Sequence, residues 1–350
     1  MERELTVPVF LCDSRGNLNP EAVGWSRRPL HDCNLSAHWP RKKRWDYWCV
    51  TSDEYLFSVT LSNLDYAGLA FVYFHDFAGG RFIEKTVMKP LGAGCALGRT
   101  VGEPVRFEGR GLRFSIEPDP AGASVTRIRV ESPDFGGLRL AAALVVEHPA
   151  GHETMNAVIP WSRSRFQFTS KHQALPAEGV VTLGGGGGTG PGAGTALEAR
   201  FPAGSSFACL DFGRGVWPYS SAWNWASFSA LVDGLPVGVN LGGRWTDGTG
   251  YTENAIVAGG RLSKLPEKVT FAYDPRDFIR PWSIRTEGSE RVDLLFEPFY
   301  ERIARSDLLV VRSEIHQMIG RFSGTLAMDD GRRIAIDKAV GCTEDHRARW

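Results

Sequence analysis

Apolar and polar side chains alternate in steps of two along most of the chain. Tyr55, Phe57, Val59 and Leu61 fall on one side of an extended segment, with Ser58, Thr60 and Ser62 on the other. Leu112, Phe114 and Ile116 repeat the alternation, as do Val292, Leu294 and Phe296. The same reading predicts strands around 68–76, 123–131, 138–147, 163–170, 205–212, 227–233, 267–273 and 307–319. Turn-forming clusters such as Ala78-Gly79-Gly80 and Asp329-Asp330-Gly331 bound them. Helical periodicity is scarce, and the best helix signal is a short one from Pro298 to Ala304, opened by its proline. Many short, frequently turned strands predict an all-β chain of antiparallel sandwiches or barrels, with little helix.

With 350 residues the chain is large for a single barrel of about eight strands. Two consecutive lipocalin-like barrels packed together fit better, read as residues 1–175 and 176–350. A Gly-rich stretch at 184–194 lies near that boundary and reads as a linker or surface loop. No Gly-Lys-Ser/Thr follows it, so it is not a phosphate cradle. No repeat relates the two halves.

Charge narrows the partners. Forty Lys and Arg stand against forty Asp and Glu, and the isoelectric point is near 7.1. That balance lacks the basic footprint of a nucleic-acid binder and the attraction to an anionic membrane surface. Even the basic run Arg41-Lys42-Lys43-Arg44, followed by Trp45-Asp46-Tyr47-Trp48, reads as a strand entering a sheet with Trp45 and Tyr47 on one face. The N-terminal residues are polar, without the pattern of a signal peptide, and no apolar run reaches the roughly 18 residues of a membrane helix. The six cysteines are widely spaced and read as reduced thiols. The expectation is a cytoplasmic protein with no transmembrane segment; peripheral membrane contact and oligomeric state stay open.

Candidate chemistry collects late in the chain. Trp217, Tyr219, Trp223 and Trp225 cluster around Asn224, and an extended 221–227 places Trp223 and Trp225 on one face with Asn224 on the other. They read either as a core layer or as an aromatic wall against an apolar, flat or cationic ligand. Asn240, Arg244, Glu253 and Asn254 sit among glycines, with Thr246-Asp247-Gly248-Thr249 as a turn; a desolvated Glu253 would have the raised pKa of a general acid. Glu314 and His316 share a face if extended, and so do Glu344 and His346, beside Asp345. Carboxylate–imidazole pairs of this kind serve acid/base chemistry or act as structural salt bridges. His152-Glu153 and Lys171-His172 are weaker examples of the same type. No HExxH, EF-hand, GxSxG or dinucleotide fingerprint occurs, so neither a metal nor any other cofactor is expected.

Trp45-Asp46-Tyr47-Trp48, Asn63-Leu64-Asp65-Tyr66-Ala67-Gly68, Ile159-Pro160-Trp161-Ser162, Thr169-Ser170-Lys171-His172, Asp211–Tyr219, Trp223-Asn224-Trp225-Ala226, Asn240-Leu241-Gly242-Gly243, Thr252-Glu253-Asn254, His316-Gln317 and Glu344–Trp350 resemble the domain-of-unknown-function family numbered 2804. The resemblance runs from about residue 10 to the C-terminus. More remotely, the layout is similar to the double-barrel group of carotenoid 1,2-hydratase, hydroxyneurosporene synthase and tocopherol cyclase. That likeness implies paired lipocalin-like barrels around a hydrophobic cavity, and cofactor-free acid chemistry at carbon–carbon double bonds.

Three functions stay open on this reading. The first is binding of an isoprenoid or fatty acyl compound, with hydration, cyclisation or isomerisation by Glu253, Glu344 or Asp345 partnered by His316 or His346. Trp217, Trp223 and Trp225 would then face the developing charge. A non-catalytic lipid carrier using the same cavity is the second, and a carbohydrate-binding or carbohydrate-active β-protein the third.

Overall fold

The computed structural model describes residues 2–120, 122–185, 196–308 and 311–350. Strand makes up 66% of the chain and helix 1%, in two curled antiparallel sheets, one forming a nearly closed barrel and the other a half-barrel. The all-β expectation therefore holds. Three two-residue strands, β1 (Val9–Phe10), β2 (Trp25–Ser26) and β3 (His31–Asp32), precede the longer ones, with a single 3-10 turn at Pro20–Ala22.

The first sheet is built from β4 (Lys42–Thr51), β5 (Tyr55–Asn63), β6 (Ala67–Asp76) and β7 (Arg81–Pro90), then β8 (Val105–Gly109), β9 (Leu112–Asp119), β10 (Gly122–Phe135) and β11 (Leu138–Glu147). It is completed by β12 (Met155–Ser162), β13 (Arg165–Gly185) and β14 (Leu197–Val216). Its order is β7-β6-β5-β4-β14-β13-β11-β10-β9-β8, with β12 pairing β13 and β2. Gly184 and Gly185 of the glycine tract end β13, and the rest of that tract lies outside the described residues.

The second sheet contains β15 (Ser220–Val232), β16 (Leu235–Gly243), β17 (Ala255–Ala258), β18 (Arg261–Lys264), β19 (Val269–Ala272), β20 (Trp282–Thr286), β21 (Val292–Leu308), β22 (Val311–Ala327) and β23 (Arg333–Arg349). Its order is β18-β17-β16-β15-β23-β22-β21-β20-β19. The stretch expected as one strand at 307–319 is divided between the end of β21 and the start of β22.

Two compact units emerge. One gathers Met1–Arg41, His152–Ala174 and Arg214–Trp350; the other gathers Lys42–Gly151 and Leu175–Gly213. In the first unit the alternating residues of the second sheet close on one another. Ala226, Phe228, Val239, Leu241, Trp282, Ile284, Leu294, Phe296, Met318 and Phe322 form a single buried cluster. Burial of such side chains contributes roughly 1.5–3 kcal/mol each and fixes which face of every strand points inward.

The helix expected at Pro298–Ala304 is instead the middle of β21. Pro298 sits at a register shift between Pro298 and Tyr300, where a strand tolerates a residue that cannot donate to the ladder. Beyond it the alternation resumes, Arg302 being buried and Ile303 48% exposed. Pairing with β22 outweighs a helix signal too short to stand alone.

A second register shift lies between Phe322 and Gly324 in the pairing of β22 with β23. Gly324 has φ +139°, and a Cβ there would stand 2.1 Å from the Asp293 carbonyl oxygen. Gly324→Ala is expected to lower stability by more than about 1 kcal/mol, through backbone strain and the clash together. Urea denaturation checks this. Gly331→Ala, at φ +83° with open space around the built Cβ, should cost less.

Candidate functional site

Strand pairing sorts the late-chain candidates onto two faces of one sheet. Asn224 lies opposite Asp345, and Trp225 opposite Glu344, in the β15–β23 register. His316 lies opposite Asp345, and Gln317 opposite Glu344, between β22 and β23. Opposed residues share a face and neighbours along a strand do not. Asn224, Asp345 and His316 therefore lie on the inner face, continuous with Ala226, Phe228 and Met318 of the core, while Trp223, Trp225, Glu344 and His346 lie on the outer one.

On the inner face Asp345 is 2% exposed, and its carboxylate is held by three groups. Arg244 Nη1 donates to Oδ2 at 2.9 Å, the Tyr273 hydroxyl donates a short hydrogen bond to the same oxygen, and Arg347 Nε lies 3.5 Å from Oδ1. Asn224 Nδ2 donates to the Tyr273 hydroxyl at 3.1 Å and to the Glu344 carbonyl at 3.1 Å. Burial first, and then the hydrogen bond to Asp345, push the Tyr273 phenol above its usual range; the Asn224 bond and the Arg244 charge act the other way. The Tyr273 ring stacks on Trp282 at 3.8 Å and on Phe278 at 5.7 Å. Phe278 in turn stacks on His316 at 4.3 Å. His316 is held between two carboxylates, Nδ1 at 2.6 Å from Glu301 and Nε2 at 3.0 Å from Glu314. The bond from His316, and behind it the nearby Arg305, hold Glu314 below the usual carboxylate range against an opposing effect of burial.

A pocket of about 450 Å³ opens beside this group, lined by Asn224, Arg244, Phe271, Tyr273 and Arg347, with Val269, Pro275, Lys268 and Glu287 around them. Thr343 is the next inner-face residue of β23 from Asp345; its fully buried hydroxyl has no hydrogen-bond partner among the described residues.

The outer face carries a different chemistry. Trp217 packs with Trp161 at 4.8 Å, Trp245 at 5.4 Å, Trp223 at 5.5 Å and Trp350 at 5.7 Å between ring centroids. Its Nε1 donates to Gln167 Oε1 at 2.7 Å. Glu253 lies beside this aromatic stack, accepting from Trp245 Nε1 at 2.9 Å and facing Lys171 Nζ at 3.1 Å, both charges almost wholly buried. Asn240 accepts from Trp225 Nε1 at 2.8 Å and donates to the Glu253 carbonyl at 2.9 Å. Asn254 ties the Gly242 amide to the Glu267 carbonyl. Glu344 accepts from Gln317 Nε2 at 2.7 Å. His346 lies 3.9 Å from the Trp223 ring and bonds Ser313 Oγ at 2.8 Å. Tyr219 is half exposed, its ring under the Arg41 guanidinium at 5.2 Å.

The sequence-derived set thus separates. Asp345, Asn224, Arg244 and His316 are brought toward the pocket end of the inner face. Trp217, Trp223, Trp225, Asn240, Glu253, Glu344 and His346 gather on the other face in a dense hydrogen-bonded aromatic layer. Sequence reasoning missed Tyr273, which lies 72 residues from Asp345, and Glu301, which fell inside the supposed helix. Only the alternation 269, 271, 273 pointed to Tyr273, and nothing local tied it to Asp345. Among the described residues no group of three or more His, Cys, Asp or Glu is disposed to hold a metal ion, and no helix is long and apolar enough to cross a membrane. None of the six cysteines is in a disulfide among the described residues.

Two outcomes follow from the buried charges. Lys171→Met leaves Glu253 charged without its partner and should cost about 3–5 kcal/mol in urea denaturation, with much of that recovered in Lys171→Met/Glu253→Gln. Burial, and then the Arg302 charge, push His346 down to about 3. The unfolded chain binds that proton near pH 6.5, so the stabilisation from neutral His346 is complete above that pH and is lost as pH falls toward 3. The His346 imidazole resonances should accordingly stay constant between pH 5 and 8 in NMR titration; a midpoint near 6.5 would contradict its placement.

In fold the chain is similar to a protein from Nitrosomonas europaea provisionally assigned as AttH, at 13% identity and a TM-score of 0.51, over 89% of this chain and 94% of that one. Kievitone hydratase from Nectria haematococca matches at 10% identity and a TM-score of 0.46, over 88% of each chain. At such identities the likeness is one of fold alone. No curated protein matches the sequence. Residues 2–350 match the profile of the family described as Domain of unknown function (DUF2804), and the chain belongs to that family.

Proposed function

We propose that the protein binds an unsaturated small molecule in the inner-face pocket and moves a proton to or from it through the Tyr273–Asp345 pair. The observation that carries this reading is the grip on Asp345, since Arg244 and Tyr273, which hold its carboxylate, both line the 450 Å³ pocket. That volume lies in the range of small-molecule sites. Phe271, Val269 and Pro275 offer an apolar wall, while the charged lining is mixed, with Arg244 and Arg347 beside Asp345, Lys268 paired with Asp247, and Glu287. An isoprenoid or fatty acyl compound fits that wall.

The phenol acts as a relay. As Tyr273 passes its proton to Asp345, its oxygen takes one either from an allylic carbon, leaving an allylic carbanion, or from water. In the second case the hydroxide adds to one carbon of a conjugated C=C bond and leaves the carbanion at the next. The reverse transfer returns the proton to the carbanion, at its far end in an isomerisation. The raised pKa of Tyr273 suits a group that is never left as phenolate. Hydration and isomerisation at a C=C bond use these two steps and need no cofactor.

The test is incubation with unsaturated isoprenoid and fatty acyl acids, followed by extraction and mass spectrometry with chromatography to separate isomers. Wild-type protein should yield a hydrated or isomerised product, and Tyr273→Phe should lower turnover by about 10²–10⁴-fold with little change in thermal midpoint. Asp345→Asn should lower turnover by a similar factor, with a loss of stability from the broken Arg244 pair. Lipid bound and released unaltered would make the protein a carrier, and equal turnover in wild type and Tyr273→Phe would remove the relay.

A further inference from the structure

The terminal strand of a sheet carries unpaired amides and carbonyls along its outer edge, and natural sheets cover or guard them. β18 ends the second sheet, and side chains occupy its edge: the Leu262 amide donates to Glu153 Oε2 at 2.7 Å, and the Leu262 carbonyl accepts from Arg27 Nη1 at 2.8 Å. β7 ends the first sheet and carries Lys85, Lys89 and Pro90, residue types that discourage a further strand from joining. β8 ends the same sheet on its other side, and among the described residues it pairs β9 alone.

Register fixes which groups of β8 are unused. Gly109 and Leu112 flank the turn Arg110-Gly111, so they form a hydrogen-bonded pair, as do Phe107 with Phe114 and Val105 with Ile116. The amides and carbonyls of Arg106 and Glu108 therefore point away from β9, and among the described residues they have no hydrogen-bond partner. Val105 and Phe107 are buried, at 1% and 2% exposure, while Arg106 and Glu108 stand exposed on the opposite face. A hollow of about 340 Å³ lies on that face, lined by Arg106, Glu108, Arg113 and Ser115 among others, so it is open to an incoming side chain.

We infer that the free edge of β8 docks β8 of a second copy of this chain, antiparallel about a two-fold axis through Phe107. The charges on the strand select that partner and that register. A joining strand must set its own outward-pointing residues against Arg106 and Glu108. Centred on Arg106, or on Glu108, two copies would oppose like charges. Centred on Phe107, Arg106 of each copy faces Glu108 of the other in a hydrogen-bonded pair, with Phe107 against its own counterpart between them. The match extends into the sheet: Glu108 lies opposite Arg113, and Arg113 opposite Glu131. Arg106 of the second copy continues this row, which alternates in sign across the joined sheets. Arg106 also pairs with Glu117 of its own chain, and a guanidinium has donors for both. One patch used by both copies is the ordinary form of a closed homodimer.

Sedimentation velocity on the full chain tests this. Wild type should dimerise as its concentration rises toward about 1 mM, the weak end of protein association. Hydrogen–deuterium exchange at the Arg106 and Glu108 amides should slow as the dimer fraction grows. Arg106→Glu and Glu108→Arg each oppose like charges across the axis, so each alone should self-associate about tenfold or more weakly than wild type. Both side chains are exposed, and the thermal midpoints should change little. Mixed together, these two variants present complementary strands and should form a heterodimer as tight as the wild-type pair; Arg106→Glu/Glu108→Arg should likewise regain self-association. A wild type that stays monomeric throughout would overturn the inference, as would single variants that dimerise like wild type or a mixture that does not associate. Fast exchange at both amides in a wild-type dimer would overturn it without recourse to any variant.

Discussion

A β-strand has two faces, and in the first unit β15, β22 and β23 bury both along their middle stretches. A polar group in these buried stretches meets its partners on the face that its position in the alternation assigns it. Asp345 and Glu344 are neighbours in sequence, yet one meets Arg244 and Tyr273 and the other meets Gln317. This constraint arranges the whole region. The inner face can accommodate charge only at its end, where the apolar cluster of Phe228, Trp282 and Met318 gives way to the pocket. The outer face absorbs its charges by close pairing, as Glu253 does with Lys171.

The two faces also differ in what their polar groups are able to do. Those around Glu253 are closely paired: Trp245 and Lys171 meet its carboxylate, and Asn240 joins its carbonyl to Trp225. Such a network specifies one arrangement of the aromatic layer and resists change. Around Asp345 the donors border open space, and two of them belong to long side chains that line it, Arg244 and Arg347. Chemistry on a ligand is favoured where partners can be exchanged.

Much of the fold was legible from the two-residue period, because a strand's alternation is written locally. The runs at 138–147 and 292–296 became β11 and part of β21. The stretch at Pro298–Ala304 misled because a proline and a few helix-tolerant residues carry little weight beside a seventeen-residue strand paired along most of its length. For the site, Asn224 and Trp225 could be assigned opposite faces from sequence, but which face was inner could not. That depends on long-range register, such as Asn224 against Asp345, which no local pattern encodes. Tyr273 escaped for the same reason: its importance lies entirely in meeting a carboxylate from a distant strand.

Arg244 reaches Asp345 from an unusual backbone. It follows the last residue of β16 with φ +72°, in the left-handed region that a non-glycine residue occupies at a cost of about 1–3 kcal/mol. Its ion pair with Asp345 helps hold that conformation, and the Thr246–Thr249 turn begins two residues later. The loop is thus a cocked latch with the carboxylate as its catch. Anything that competed with Asp345 for the guanidinium would also release this backbone, so the pairing at the pocket and the course of the loop beyond β16 are one variable.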